Sequence, residues 1–336
     1  MKEESLLSII IVSYNRAAYL PEAIDSCLKQ TYSNKEIIIG DDGSDDGSWD
    51  IICDYEKRFP NIKSFKMDRP SDNSEIIASE RVSNVVKKGI SLARGDYILL
   101  LSGDDKYIDF TFTKESVEFL DNYPDYCCTF SGYISYWNDH KIKKSLIPTQ
   151  EEVDPFYWSY GYIHASTILH RKSIWQSKVI PLTLCDDVAI MYTCLKLGKC
   201  KIIDRYVHLY RQLNDSIIHA ASKTEFDIFE LLVYEDILNT NPKGMVLFSF
   251  IRFIHSFDRL LKAREELKQD NFVKYLKISQ YFKNDFLNRF VNFDELNILN
   301  KIVITNKIRI GLLLYTMLKK SRRHYFIRGI LNTFCC

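Results

Sequence analysis

Residues 6–48 read LLSIIIVSYNRAAYLPEAIDSCLKQTYSNKEIIIGDDGSDDGS and contain two apolar runs, Leu6 to Ser13 and Asn34 to Gly40. Both runs are rich in β-branched residues on both faces, which is typical of a strand covered by helices on each side. Between them, apolar residues recur at helical spacing, and Pro21 suits the first turn of a helix. A strand, a helix and a second strand in this order predict a parallel βαβ unit.

The same alternation continues along the chain. The pattern predicts a helix from about Trp49 to Arg58, a short strand near Ile62 to Phe65 and a helix over 76–92. The run DYILLLS, residues 96–102, is another buried strand. Three of these strands end in polar clusters, namely YNR, DDGSDDGS and GDD. In open α/β sheets ligands bind beyond the carboxyl ends of the strands, so we expect the three clusters to form one pocket.

The cluster after the third of these strands places two like charges side by side, Asp104 and Asp105. Burying either carboxylate costs free energy unless a partner compensates it. One interpretation is a solvated turn with two surface acids. The other is a divalent cation, because Mg²⁺ or Mn²⁺ held by one or two carboxylates and by phosphate oxygens is the usual arrangement for a diphosphate ligand.

The acidic turn DDGSDDGS allows several interpretations. A Gly-rich surface turn is the simplest. A calcium loop is excluded because its twelfth position, counted from Asp42, is Cys53 and not Glu. The turn also lacks the glycine and lysine spacing of a phosphate-binding loop. Acids at a strand end suit hydrogen bonds from a nucleobase or ribose, which favours a nucleotide whose phosphates are bound elsewhere.

Composition and charge narrow the class of protein. The net charge of +1 does not require nucleic acid as a partner. From Leu296 to Cys336 there are eight Lys or Arg and no acid, so the preceding 295 residues carry −7. This basic, amphipathic tail fits either an interfacial helix on an anionic membrane surface or a helix docked on the catalytic domain. Nine cysteines without a CxxC pair indicate free thiols in the cytoplasm, and no apolar run predicts a signal peptide or membrane span.

Five segments together resemble the family 2 glycosyltransferases with the GT-A fold that build bacterial surface polysaccharides. Residues 8–48 resemble the opening signature of the family, and GISLARGDYILLLSGDD, residues 89–105, resembles its metal-site segment. The stretches YGYIHASTILHRKSIW, LCDDVAIMYTCLKLGKCKIID and VHLYRQLNDSI are similar to its acceptor-side segments. The resemblance covers roughly residues 6–219.

The resemblance implies roles for particular residues. The nucleotide pocket would be lined by Ser13, Tyr14, Arg16, Asp41 and Asp42. Among these, Asp41 would bind the nucleobase. Asp104 and Asp105 match the carboxylates that bind the metal, Mn²⁺ or Mg²⁺, and the ribose. Of the pair Asp186 and Asp187, the second would be the general base. Arg211 and Ser216 match a segment that closes over the donor phosphates.

The chain also departs from the family pattern. Ser102 replaces the first acid of the metal segment, and Val85, Val86 and Lys87 stand where the family often has Arg or Asn. Leu213 replaces a frequent histidine, and Asp186 replaces a Glu, which shortens that side chain by one carbon.

We therefore expect an α/β protein with a GT-A (Rossmann-like), mostly parallel central sheet flanked by helices and a C-terminal helical appendage. Residues 1–222 would be the catalytic domain, and 223–336 the helical region with the basic tail. The expected activity is the transfer of a sugar from a nucleotide sugar, with UDP-sugars favoured, to a saccharide or lipid-linked acceptor. The transfer would depend on a metal ion and would invert the configuration at the anomeric carbon. The expected location is the cytoplasm or the inner face of the cell membrane.

Two rivals remain at this point. A nucleotidyltransferase would carry a Gly-rich, basic loop after its first strand, and YNRAAYL is not such a loop. A non-catalytic protein that binds sugars or a membrane surface on a degenerate transferase fold would hold its ligand without releasing nucleoside diphosphate.

Overall fold

Four parallel strands form one half of a nine-stranded sheet. The computed structural model describes residues 4–69, 78–137, 140–145, 147, 163–177 and 187–214. Its strands are β1 Leu7–Ser13, β2 Lys35–Asp41, β3 Ile62–Lys66, β4 Tyr97–Ser102, β5 Lys106–Tyr107, β6 Tyr126–Trp137, β7 Ile142–Lys144, β8 Ile168–Arg171 and β9 Lys199–Gln212. Its α-helices are α1 Leu20–Leu28, α2 Ser48–Arg58, α3 Ala78–Leu92, α4 Phe112–Asn122 and α5 Asp187–Leu197, with 3₁₀ helices at Ala165–Thr167 and Lys172–Gln176.

The strand order brings the predicted polar clusters to one edge. The order is β3-β2-β1-β4-β8-β6-β9-β5, with β7 paired to β6. In the parallel register Ser13 pairs with Asp41, and Val12 pairs with Ser102. Beyond the strands, the Asp42 amide donates to the Ser13 carbonyl at 2.8 Å, and the Gly103 amide donates to the Val12 carbonyl at 2.8 Å. The ends of β1, β2 and β4 therefore meet, as the sequence predicts.

Both faces of β1, β2 and β4 are buried, which explains their β-branched residues. Ile9 and Ile11 belong to a core cluster with α1 and α2, whereas Ile10 lies in a second cluster with α3 and α5. Gly40 allows α3 to approach β2, because a Cβ at this position would lie 2.5 Å from side-chain atoms of Phe65 and Val85.

The other half of the sheet mixes strand directions. β8 runs antiparallel to both β4 and β6, and β5 runs antiparallel to β9. The long strands β6 and β9 are parallel and shift register three times. The mostly parallel α/β sheet that we expected is confirmed, and its antiparallel strands β5, β7 and β8 lie in the part of the sheet beyond β4.

Several predictions concern residues outside the described part of the chain. They are the C-terminal helical region 223–336, its basic tail, Asp186 and Ser216. None of the helices in the described ranges combines the length and hydropathy that a membrane span requires.

Candidate active site

The acidic turn after β2 holds the loop after β1 in place. Asn15, at a positive φ of 49°, donates from its backbone to Ser44 Oγ at 2.9 Å and exchanges side-chain hydrogen bonds with Asp45. The Arg16 amide donates to Ser48 Oγ at 2.9 Å, and the Ala17 amide donates to an oxygen of Asp46 at 2.9 Å. The second half of DDGSDDGS is thus a scaffold that presents Arg16 and its neighbours.

Asp41 is fully buried, and its carboxylate closes the turn. Oδ1 accepts from the Gly43 amide at 3.1 Å and the Ser44 amide at 2.8 Å, and Oδ2 accepts from the Ser44 hydroxyl at 2.6 Å. Gly43 has a positive φ of 77°, a conformation that favours glycine. Asp41 therefore lies at the predicted nucleotide pocket with its oxygens already bound to the turn.

Asp42 is neutralised by two arginines that the sequence did not point to. Arg81 on α3 donates to both oxygens at 2.8 and 2.7 Å, and Arg69 reaches one of them at 3.4 Å. The Arg69 guanidinium also lies 3.5 Å from the ring centroid of Tyr14. A cationic and aromatic wall thus lines the pocket beside Asp42, although α3 carries Val85 and Val86 in the core.

Ser13 contributes an unpaired hydroxyl to the same strand edge. Its side chain is buried, and Oγ has no hydrogen-bond partner among the described residues. A Cβ added at Gly103 would lie only 3.2 Å from this oxygen, so the glycine lets the turn after β4 lie against β1. A buried polar atom without a partner costs free energy, and a bound ligand would supply the missing hydrogen bond.

Asp104 faces the pocket. Its Oδ2 accepts from Arg16 Nε at 2.8 Å, and its side chain keeps 14% of its surface exposed. Burial and the neighbouring charge of Asp105 raise the pKa of Asp104, and the Arg16 guanidinium opposes them. Two adjacent carboxylates with incomplete compensation favour a cation at this place.

Asp105 lies behind Asp104 and is fully buried. Its Oδ1 accepts from the Arg211 amide at 2.8 Å, and its Oδ2 lies 3.2 Å from His208 Nε2 and 4.0 Å from His164 Nε2. Burial raises the pKa of Asp105 to about 6. Burial lowers the pKa values of His164 and His208 to about 3, so both imidazoles are neutral at pH 7.

Asp105, His164 and His208 are also a possible metal-binding triad, because their ligand atoms lie within 4.8 Å of one another. The hydrogen bonds test this possibility. His164 Nδ1 accepts from the Ser166 amide at 3.3 Å, which places the proton of the neutral ring on Nε2, the atom that faces Asp105. A metal-binding imidazole would instead use its unprotonated nitrogen and donate from the other. His164 therefore fits a hydrogen-bond partner of Asp105 better than a metal ligand, and Asp104 offers the hard oxygen that Mg²⁺ or Mn²⁺ prefers.

Asp187 begins α5 and lies close to the same group of rings. Its Oδ1 accepts from the Ala165 amide at 2.8 Å, next to His164. The His164 ring centroid lies 4.5 Å from that of Tyr210. Burial, followed by the charges of Asp105 and Asp187, raises the pKa of Tyr210. The predicted base and the predicted metal segment thus flank one cluster of aromatic side chains.

Comparison with known proteins now decides the family. The model of glycosyl transferase family 2 matches residues 8–206, which is more than half of the chain. The chain belongs to glycosyl transferase family 2. The chain is similar to the uncharacterized glycosyltransferase EpsJ of Bacillus subtilis, 32% identical over 66% of this chain, and to the Escherichia coli glucosyltransferase WfaP, 28% identical over 70%. The matches cover 65% of EpsJ and 86% of WfaP, so the chain spans less than two thirds of EpsJ.

Solved structures confirm the GT-A fold that we predicted for this family 2 chain. The crystal structure of S. aureus TarS 1–349 in complex with UDP-GlcNAc has a TM-score of 0.57 at 15% identity, covering 85% of this chain and 84% of that one. A mannosyltransferase from Pyrobaculum calidifontis, PcManGT, in complex with GDP-Man and Mn²⁺, has a TM-score of 0.51 at 9% identity, covering 95% of this chain and 89% of that chain.

Sequence reasoning missed several residues of the site, among them Arg69, Arg81 and His208. His208 and Tyr210 alternate in VHLYRQ, so their shared face of β9 was readable from the strand period. Arg81 lies one helical turn before Val85, where the family pattern often has a basic or amide side chain, and only the fold shows that it reaches Asp42.

Proposed function

We propose that this protein is an inverting glycosyltransferase that moves a sugar from a nucleoside-diphosphate sugar, with UDP-sugars favoured, to an acceptor hydroxyl. The observation that carries the proposal is the position of Asp104. It follows Gly103, which packs against Ser13 and its unpaired hydroxyl where β1, β2 and β4 end, and its pKa is raised by burial and by Asp105. Family membership and the fold support the same reaction class.

We expect the pocket to bind the donor in two parts. The nucleoside would lie against Tyr14, Arg69 and the turn at Asp41 and Asp42, where cationic, aromatic and acidic groups are within reach of a base and a ribose. The diphosphate would lie near Asp104, which would hold Mn²⁺ or Mg²⁺. When bound, the metal would neutralise charge on the leaving diphosphate. Arg16 keeps the carboxylate of Asp104 oriented toward the pocket.

Asp187 is the proposed general base. Inversion needs a base that takes the proton of the acceptor hydroxyl on the face opposite the leaving group, and one carboxylate is sufficient. The Ala165 amide donates to Oδ1 of Asp187 and holds this carboxylate next to His164. Asp186, Ser216 and a role of Arg211 toward the donor phosphates stay predictions, as does the division of the chain at residue 222.

The biological setting that we propose is the assembly of a cell-surface polysaccharide or lipopolysaccharide. The relative WfaP is named UDP-Glc:alpha-D-GlcNAc-diphosphoundecaprenol beta-1,3-glucosyltransferase, a name that describes a UDP-sugar donor and a lipid-linked acceptor for that protein. A lipid-linked acceptor would be consistent with action at the inner face of the membrane, with the basic tail of residues 296–336 as the peripheral contact.

Thermal unfolding with UDP, GDP and CDP, each with Mn²⁺ or with EDTA, tests the donor site. One nucleotide should raise the Tm only with Mn²⁺, by about 5 °C near a hundredfold excess over Kd. Asp104→Asn should abolish the shift. Asp125→Asn, which removes the same charge from an exposed ion pair with Lys199, is the matched control and should keep it. The absence of a metal-dependent shift with every nucleotide would contradict the proposal.

Turnover separates the enzyme from a non-catalytic sugar-binding protein. UDP release from UDP-Glc and UDP-GlcNAc should be measurable with the wild type, even as slow hydrolysis, and should fall about 10²–10³-fold in Asp104→Asn. A protein that binds UDP but releases none from any donor and acceptor supplied would favour the binding protein.

A further inference from the structure

Arg211 joins three segments that meet at Asp104 and Asp105. Its Nη1 donates to the backbone carbonyl of Asp104 at 2.6 Å, and its backbone amide donates to Oδ1 of Asp105 at 2.8 Å. Its Nη2 donates to Oε2 of Glu22 on α1 at 2.9 Å. The end of β9 is thereby tied both to the two acids and to the first turn of α1.

The α1 side of this junction also holds the other end of Asp104. Arg16, which binds the Asp104 carboxylate, precedes α1 directly, and its carbonyl accepts the Leu20 amide at 2.9 Å. Glu22 lies in the first turn of the same helix. One short segment therefore controls the carboxylate of Asp104 through Arg16 and the backbone of Asp104 through Glu22 and Arg211.

Burial makes the Glu22 contact important for the arginine. The Arg211 side chain is only 9% exposed, whereas the Glu22 side chain is half exposed. A buried guanidinium needs partners that fix its orientation, while an exposed carboxylate gains little from the pair for its own sake. Hydrogen bonding to Lys106, and then the charge of Arg211, lowers the pKa of Glu22, so its carboxylate is ionised at neutral pH.

We propose that Glu22 is a positioning residue that, through the guanidinium of Arg211, holds the backbone of Asp104 in the orientation needed to bind a divalent cation. The inference deepens the proposed function and rests on it for the role of Asp104. In this proposal Arg211 supports the two acids, because its side chain binds Glu22 and the Asp104 carbonyl.

Two measurements on Glu22→Gln test the proposal. The first is Mn²⁺ affinity without nucleotide, read by electron paramagnetic resonance. Loss of a partner behind a metal ligand typically costs 10–100-fold in metal affinity, and we expect a weakening of about tenfold. The second is amide hydrogen exchange at Gly103 and Asp105, whose N–H groups donate to Val12 and Ser102 across the turn. Both amides should exchange faster in Glu22→Gln.

Control variants separate the route through Arg211 from other effects. Glu118→Gln removes an exposed carboxylate of α4 that pairs with Lys114, and it should change neither measurement. Lys106→Met removes the other cation from Glu22 and should have the smaller effect. The double variant Glu22→Gln with Arg211→Lys should weaken Mn²⁺ binding no more than Arg211→Lys alone, because the two residues act as one unit.

The outcomes that overturn the inference are distinct from those that overturn the proposed function. Unchanged exchange at Gly103 and Asp105 in Glu22→Gln would overturn the positioning role, as would a Lys106→Met variant that reproduces the whole effect. A wild type that binds no Mn²⁺ would overturn the metal site of the proposed function, and the exchange measurement would still decide whether Glu22 orders the turn.

Discussion

The two acidic turns of this protein have similar sequences and different physical states. The turn after β2, residues 41–48, carries four aspartates, and those described above accept hydrogen bonds from amides, hydroxyls or arginines close by. The turn after β4, residues 102–105, carries two adjacent aspartates, of which Asp105 is fully buried and Asp104 keeps 14% of its side chain exposed. In the first turn, nearby hydrogen-bond donors compensate the negative charges of the aspartates. In the second turn, the compensation of the two charges is incomplete.

The pKa values express this difference. Although burial opposes the effect, hydrogen bonds from Ser48 and Ala17 hold the pKa of Asp46 below its usual value. Burial raises the pKa of both Asp104 and Asp105, the latter to about 6. A carboxylate with a lowered pKa stabilises the fold, whereas one with a raised pKa costs stability and is typical of a functional site. The comparison therefore predicts that the acids of the first turn stabilise the fold and that Asp104 of the second turn binds a ligand.

The largest expected effect on stability concerns Asp41. Asp41→Ala should lower the free energy of unfolding by about 3–4 kcal/mol, because two amides and a hydroxyl in the interior lose a charged acceptor. Urea unfolding at neutral pH measures the change. Asp45→Ala, at an exposed position of the same turn, is the control and should cost about 0.5 kcal/mol or less.

The same measurement on the second turn sharpens the comparison. Asp104→Asn should leave the free energy of unfolding unchanged or raise it, because it removes repulsion with Asp105. A loss as large as that of Asp41→Ala would show that both turns are structural and would break the distinction.

A second prediction concerns the pH dependence of stability. Burial lowers the pKa of His164 and His208 to about 3 and that of His170 to about 4, below the unfolded value of 6.5. The unfolded chain therefore binds more protons at these sites, and stability is present above pH 6.5 and falls as the pH drops below it. Each histidine contributes a slope of up to about 1.4 kcal/mol per pH unit.

Asp105 has the opposite effect on the pH dependence of stability. Its folded pKa of about 6 lies above the unfolded value of 3.8, so its contribution to stability falls as the pH rises between these two values. Three histidines outweigh one carboxyl, and we expect net destabilisation by acid. In His208→Gln, the slope of the free energy of unfolding against pH should decrease between pH 5 and 6.5 by the amount that corresponds to about one proton. His140→Gln, on the exposed surface, is the control. An unchanged slope in His208→Gln would mean that His208 is not kept neutral in the fold.

The smallest expected effect concerns the arginine that neutralises Asp42. Arg81→Lys keeps the charge but loses the two parallel hydrogen bonds, and it should cost about 1 kcal/mol in urea unfolding. Arg58→Lys, in an exposed pair with Asp54 on α2, is the control and should cost clearly less. Equal costs for the two variants would contradict the view that the first turn depends on its buried partners.

Much of the first half of the fold could be predicted from local patterns. The strands β1, β2 and β4 and the helices α1 to α3 appear within a few residues of their predicted positions, because β-branched runs and helical spacing are local signals. The antiparallel strands β5 and β8 are short, and β6 and β9 contain bulges, so their pairing depends on contacts far apart in sequence. For that reason the contact of His208 with Asp105 was not predicted, although Asp187 and Arg211 of this half were named from the sequence.

The amino-acid sequence by itself determined that a parallel sheet would form and that Asp41, Asp42, Asp104 and Asp105 would follow its strands. It could not assign different states to Asp104 and Asp105, because adjacent aspartates have the same intrinsic chemistry. The tertiary structure decided this by packing β9, about a hundred residues later, against Asp105 while Arg16 and the pocket edge met Asp104. Desolvation and long-range hydrogen bonds are properties of the packed chain, and they set the charge state of each acid.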